Sequence, residues 1–221
     1  MLSALGELLP IAVAVAVSSV PITATILILL SPKRNRSAIP FLIGWLVGMV
    51  GVVVVAAVGA SALPISSLRA PQKAIGYAQI IVGLAVLVVA VMAWRRAARG
   101  PADKQNGWLG RVNRMGPAAA LGLAFALNLR PKGLLLGAAA GLSVAGSSLE
   151  VTEAAIVVAI YVGLASSTVI VPIVATLVAP ARMQPRLVLA RDWLSHNSAH
   201  ITVVVLVMVG FVILGAGLSR L

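Results

Sequence analysis

Residues 127–133 read LNLRPKG and lie between two apolar runs, PAAALGLAFA and LLLGAAAGLSVAG. Asn128, Arg130 and Lys132 therefore interrupt an otherwise apolar segment, with Pro131 between the two cations. A basic side chain at the centre of a bilayer costs roughly 2.5–3.5 kcal/mol on insertion scales. Arginine carries a planar fork suited to phosphate, sulfate or carboxylate, and lysine a point charge. In a straight helix the two side chains would diverge by about 200°. A break at Pro131 lets both face one cavity. Arg130 stands ~20 Å along a helix from Pro117, which is far for a side chain reaching back to the cytoplasmic headgroups. The alternative is a shorter segment that starts near Gly133 and leaves both cations in the headgroup layer. The one acidic residue inside the apolar runs, Glu153, falls at the edge of its own run, so the simplest partner for the two cations is an anion carried by a substrate.

These charges need helices to hold them. The chain has 221 residues, 61% of them hydrophobic and only 10% charged. Apolar runs near 8–30, 39–62, 74–94, 117–145, 152–178 and 199–219 each approach or exceed the ~20 residues that cross a bilayer. The fold class expected is all-α and membrane-embedded, with six transmembrane helices. Pro10, Pro40, Pro71 and Pro117 fall at or just before span starts, where a missing N–H costs little. The N-terminus lacks a basic region, and its apolar run is too long for a cleaved signal peptide.

Charge sets the orientation. Of the seventeen Lys and Arg residues, twelve fall in the first, third and fifth loops, and three (Arg69, Lys73 and Arg220) on the other side. The positive-inside rule places the twelve in the cytoplasm and both termini outside, in a multi-pass protein of the cell membrane. The net charge of +12 is read as topology-setting and as contact with anionic membrane lipids, not as nucleic-acid binding.

Six spans in two sets of three give halves of opposite orientation, the arithmetic of an inverted repeat. The expected division is 1–94 for the first three-helix repeat, 95–116 for a basic cytoplasmic linker and 117–221 for the second repeat. Aligning VAVSSVPIT (15–23) with FALNLRPKG (125–133) sets Pro21 on Pro131 and Ser18 on Asn128. Val-Gly recurs at 82–83 and 209–210. The first and fourth spans are thus expected to be interrupted twins, and broken helices that meet near the midplane are a recurrent transporter site. The candidate substrate-binding set is Arg130, Lys132, Asn128, Pro131, Pro21, Ser18 and Ser19.

Other motifs carry less. Gly44/Gly48, Gly133/Gly137 and Gly137/Gly141 permit close helix approach, expected mainly within one bundle. His196 and His200 are four apart but lack a third ligand and a supporting shell, so no metal is assigned. Trp45, Trp94, Trp108 and Trp193 fall near the expected cytoplasmic boundary and read as interfacial anchors. There is no cysteine, no Walker motif and no paired-carboxylate or Ser-His-Asp arrangement. No cofactor and no enzymatic activity are expected.

PITATILILLSPKRNRSAIPFLIGWLVG and GPAAALGLAFALNLRPKGLLLGAAAG resemble the GAP/Sap family of peptidoglycolipid- and sulfolipid-addressing proteins, and the family is similar to the wider lysine-exporter superfamily. The resemblance implies six helices, no enzyme activity and export of cell-envelope glycolipids such as peptidoglycolipids or sulfolipids. It carries family roles onto Pro21, Asn128, Pro131 and Lys132. It also implies homo-oligomers, or proteins of envelope-lipid synthesis and export, as partners. Two rival readings stay open: a small-solute exporter of the lysine-exporter type, and a non-transporting scaffold for envelope-lipid export machinery.

The orientation is testable with single cysteines at Ser3, Gln105 and Ser148 and an impermeant maleimide on whole cells. Positions 3 and 148 are expected to label and position 105 to be protected; the reverse pattern overturns the assignment.

Overall fold

The computed structural model describes residues 2–62, 72–97, 115–147 and 149–218, and among these the protein is all-helical. In chain order the helices are α1 (Leu2–Ala16), α2 (Ser19–Leu30), α3 (Arg34–Ala62), α4 (Gln72–Ala97), α5 (Pro117–Asn128), α6 (Pro131–Gly146), α7 (Val151–Val178) and α8 (Pro180–Leu218). Two segments, Arg34–Gly59 and Val151–Val178, are long and apolar enough to cross a membrane as single helices. Two more are bent pairs that reach span length together. Ala4–Ala16 and Ser19–Leu30 meet at 50°, and Pro117–Asn128 and Lys132–Ala145 at 65°. The linker expected over 95–116 lies mostly outside the described residues, as do 63–71.

Proline places both breaks. A proline ring clashes with the carbonyl four residues earlier and offers it no donor. For Pro21 that carbonyl belongs to Val17, and the chain leaves the helix at Val17–Ser18, one turn upstream of the proline. Pro131 acts at closer range. The residue before a proline is driven toward extended backbone, and Arg130 adopts φ −67°, ψ 151°. Pro21 thus ends up in the first turn of α2 and Pro131 opens α6, positions where a missing N–H costs little. Break on break, Ser18 matches Arg130 and Ala16 matches Asn128, two residues away from the proline-on-proline alignment.

Other prolines do not behave as the sequence led us to expect. Pro10 and Pro40 lie inside α1 and α3 rather than at their starts. The segment PARMQPRLVLARDWLSHN, expected to separate two spans, is helical and continuous with the last apolar run in α8. Its Leu187 and Leu194 join the core, while Arg182, Arg186 and Arg191 are exposed. A stripe that packs at helical spacing overrides the polar composition of this segment.

Buried stripes assemble the bundle. On α3 they are Phe41, Trp45, Met49 and Val53; on α7, Val157, Tyr161, Ala165, Val169 and Ile173. Both recur every four residues, the spacing of one helix face. α2 is buried on most sides, including Ala24 through Leu29. α3 packs against α5 and α6, α7 against α1 and α2, and α4 against α8.

Small residues set the distances. A Cβ added at Gly44 would strike the Leu121 main chain, and one at Gly141 would lie 2.5 Å from the Val53 carbonyl. The Gly44/Gly48 and Gly137/Gly141 pairs therefore serve contacts within one chain. A third contact joins α4 to α8: a Cβ at Gly83 would lie 2.7 Å from the Leu214 side chain, and one at Gly210 2.7 Å from that of Leu87. VGLAVL (82–87) and VGFVIL (209–214) thus meet reciprocally, each glycine receiving the other helix's leucine.

Gly141→Val should overpack this seam by about 1–3 kcal/mol and lower the melting temperature of the purified protein by several degrees. Gly163→Ala, where nothing lies within 4 Å, should melt at or above wild type, because alanine is the better helix former.

Candidate functional site

The two breaks share one cavity of about 280 Å³. From α2 it is lined by Ser18, Ser19, Val20 and Pro21, which run from the N-cap to the third helical residue. From the α5–α6 break it is lined by Leu127, Asn128, Arg130, Lys132 and Gly133. Trp45, Met49 and Val52 of α3 and Tyr161 of α7 complete much of the wall. Six of the seven candidate residues, Ser18, Ser19, Pro21, Asn128, Arg130 and Lys132, come together here. Pro131, the seventh, opens α6 between the two cations.

The helix ends give the cavity its polarity. The first N–H groups of a helix have no partner within it, and the N-terminal end carries a partial positive charge. Neither Ser18 nor Arg130 makes a side-chain cap bond to its helix. The first turns of α2 and α6 therefore present uncapped donors beside the guanidinium and ammonium groups of Arg130 and Lys132. Both side chains are exposed rather than enclosed, so the charge lies at the rim. No acidic side chain is among the described residues that line the cavity.

Side chains tie the C-terminal ends of α1 and α5 to neighbouring helices. Thr168 of α7 donates a 2.7 Å hydrogen bond to the Ala16 carbonyl at the end of α1. Asn128, at the end of α5, donates its amide N–H groups to the carbonyls of Ala124 (3.1 Å) and Trp45 (3.2 Å). Trp45 Nε1 in turn donates to Ser166 Oγ at 3.2 Å, and Ser166 Oγ donates to Met49 Sδ at 3.7 Å. Asn128, Trp45, Ser166 and Met49 are all buried. This chain of bonds ties the α5 break to α3 and α7.

One residue departs from its expected role, and one on the cavity wall was not expected there. Trp45 is not an interfacial anchor: it is buried and hydrogen-bonded across the bundle, whereas Trp94 and Trp193 are exposed. Tyr161 was absent from the candidate set because it sits at core spacing in an apolar helix with no polar neighbour in sequence; its place on the cavity wall shows only in three dimensions. Of the histidine pair, His200 is exposed and the His196 side chain lies outside the described residues.

Comparison with known families decides the membership. Residues 8–219 match the family described as Sap, sulfolipid-1-addressing protein. The chain belongs to that family. No curated protein and no solved structure matches it. The apolar helices and the family together make it a membrane protein tied to lipid-related export.

Ser166→Ala would leave the buried Trp45 N–H without its acceptor, which typically costs about 1–3 kcal/mol. Melting of the Ser166→Ala, Trp45→Phe and double variants should therefore be non-additive, the double losing less than the sum of the singles. Additivity would mean the bond contributes nothing.

Proposed function

We propose that this protein moves an anionic cell-envelope lipid or glycolipid outward across the cell membrane, binding its headgroup in the cavity between the two helix breaks. One observation carries the reading. Two uncapped helix N-termini and two cations line the same cavity, with no acid among its described lining residues. Helix N-termini and Arg/Lys pairs are built for anions. A cavity wet or filled by a substrate anion is where uncompensated cations in an apolar protein are tolerable. The family's sulfolipid connection agrees with an anionic lipid.

The reading includes a frame of six spans as two inverted repeats, 1–94 and 117–221, joined by a basic cytoplasmic segment over 95–116. The exchange of partners supports it. The second helix of one half, α3, embraces the broken span of the other, and α7 does the same in return. The reciprocal glycine contact of α4 and α8 falls where a two-fold axis between such halves would run. At 1.5 Å per residue α4 spans ~39 Å and α8 ~58 Å, enough to cross a bilayer. Both termini face outward, the cavity lies near the midplane, and no chemistry is performed on the substrate.

A second reading has one observation in its favour. At about 280 Å³ the cavity is at the small end of ligand pockets, a size that also suits a small anion without acyl chains. A cationic solute such as lysine is disfavoured by Arg130 and Lys132. Envelope-lipid synthesis or export proteins, and further copies of this chain, are the partners proposed.

Native mass spectrometry of the protein in mild detergent separates these readings. A copurifying anionic lipid is expected on the wild type. At ~1 kcal/mol for each cation near anionic headgroups, Arg130→Gln with Lys132→Met should weaken its binding about thirtyfold without unfolding the protein. Lys132→Arg should keep part of the binding. Wild-type lipid occupancy in the double variant would remove the cations from the site.

A further inference from the structure

The cavity holds a second kind of recognition that the two cations do not explain. Tyr161 lies on its wall with 2% of its surface exposed. Its hydroxyl has no hydrogen-bond partner among the described residues. Asn128 lines the same cavity from the end of α5, 6% exposed. Both amide N–H groups of Asn128 are spent on main-chain carbonyls, so its free valence is the carbonyl oxygen, a pure acceptor. A buried polar group left unpaired costs about 1–3 kcal/mol, and a protein carries two such groups in one place when something else completes them.

The two groups define what that partner is. A bare anion has no proton to give and would be repelled by the Asn128 oxygen. A hydroxyl satisfies it by donating, and can accept from the Tyr161 hydroxyl in the same act. The cations stand at the exposed rim, whereas Tyr161 and Asn128 are deeply buried. We infer that Tyr161, together with Asn128, reads a neutral hydroxyl on the headgroup whose anionic group rests on Arg130 and Lys132. The ligand then carries both an anion and a free hydroxyl, with the neutral part inserted deeper than the charge. This deepens the function proposed above and rests on it for the anion, but not for the hydroxyl.

The cavity size makes the division of labour sharper. About 280 Å³ admits a headgroup and leaves no room for acyl chains as well. Selection among lipids with the same chains must then come from headgroup contacts, and a site lacking a built hydrogen bond rejects the wrong ligand poorly, whereas one with such groups rejects an analogue that leaves them unpaired. Tyr161 is therefore a specificity-determining residue.

The test uses the full chain in nanodiscs and two lipids of equal charge and identical acyl chains. Phosphatidylglycerol bears free hydroxyls on its headgroup; phosphatidylethanol bears none. Binding of each is read by native mass spectrometry at several lipid fractions. Wild type should prefer phosphatidylglycerol by about three- to tenfold. Tyr161→Phe should bring that ratio close to one while leaving phosphatidylethanol binding unchanged. Arg130→Gln with Lys132→Met should weaken both lipids together and keep the ratio. Tyr161→Phe should also melt at or above the wild-type temperature, because it deletes a buried hydroxyl with no partner among the described residues. A wild-type preference that survives Tyr161→Phe, no preference in the wild type, or a marked fall in melting temperature for Tyr161→Phe would each overturn the inference. A Tyr161 effect on the ratio with no effect of the charge variants on either lipid would uphold the inference and overturn the anion reading.

Discussion

A helix broken inside an apolar bundle leaves main-chain groups that hydrocarbon cannot satisfy, and the architecture follows from how this protein distributes them. At the carbonyl ends the protein supplies donors: Thr168 bonds the Ala16 carbonyl, and the Leu129 N–H bonds that of Ala126. The N–H ends are left open: neither α2 nor α6 has a side-chain cap, and both begin on the cavity. Closing one sign of the helix dipole and opening the other turns two structural defects into a region of positive potential. Arg130 and Lys132 add full charges to partial ones that the backbone already supplies.

Two side-chain bonds hold the broken spans against α7 and α3: Thr168 to the Ala16 carbonyl and Asn128 to the Trp45 carbonyl. Asn128 belongs to both the scaffold and the cavity wall, so its side chain cannot be changed without moving the break. That coupling explains the glycines opposite it. A Cβ at Gly48 would lie 2.8 Å from the Asn128 amide nitrogen, and one at Gly133 2.5 Å from the Asn128 main-chain carbonyl. α3 is kept thin at Gly48 so that the amide can reach the Trp45 carbonyl, and Gly133 lets α6 turn close past the end of α5. Further along, Val52 and Val53 of α3 meet Gly137 and Gly141 of α6. The 65° bend lets α5 and α6 follow different lengths of α3, with the cavity at the elbow.

Much of this was legible in the chain, and the reasons differ by residue. Arg130 and Lys132 stand out because charge in an apolar run is costly. Pro21 and Pro131 stand out because each removes a donor. Ser18 and Ser19 were found through their likeness in position to Asn128, although the breaks match with a two-residue offset that proline spacing hides. The offset arises because Pro21 acts on the carbonyl one turn earlier, whereas Pro131 acts on its immediate neighbour. Tyr161 and the burial of Trp45 were not legible. Both sit at four-residue spacing in apolar stripes, where an aromatic reads equally well as core, interface anchor or cavity wall, and only the packing of α3 against α7 chooses. The helical continuation of residues 180–198 was hidden for the opposite reason: its polar composition conceals Leu187 and Leu194, which hold it to the core.

The two breaks are alike in geometry and unlike in chemistry, and that difference has a direction. The α2 break brings hydroxyls and uncapped N–H groups but no charge; the α6 break brings both cations. A charge-assisted hydrogen bond is roughly twice as strong as a neutral one. An anion in this cavity is therefore held first by α6 and only steered by α2. The uncharged groups that remain, on α2, α5 and α7, are suited to measuring the neutral part of the ligand. Placing both cations at one break also concentrates the desolvation penalty there, at the exposed rim of the cavity. The asymmetry puts the charged groups at the rim and keeps the enclosed groups neutral, a division that, on the function proposed, would let strong attraction and headgroup discrimination coexist in one small cavity.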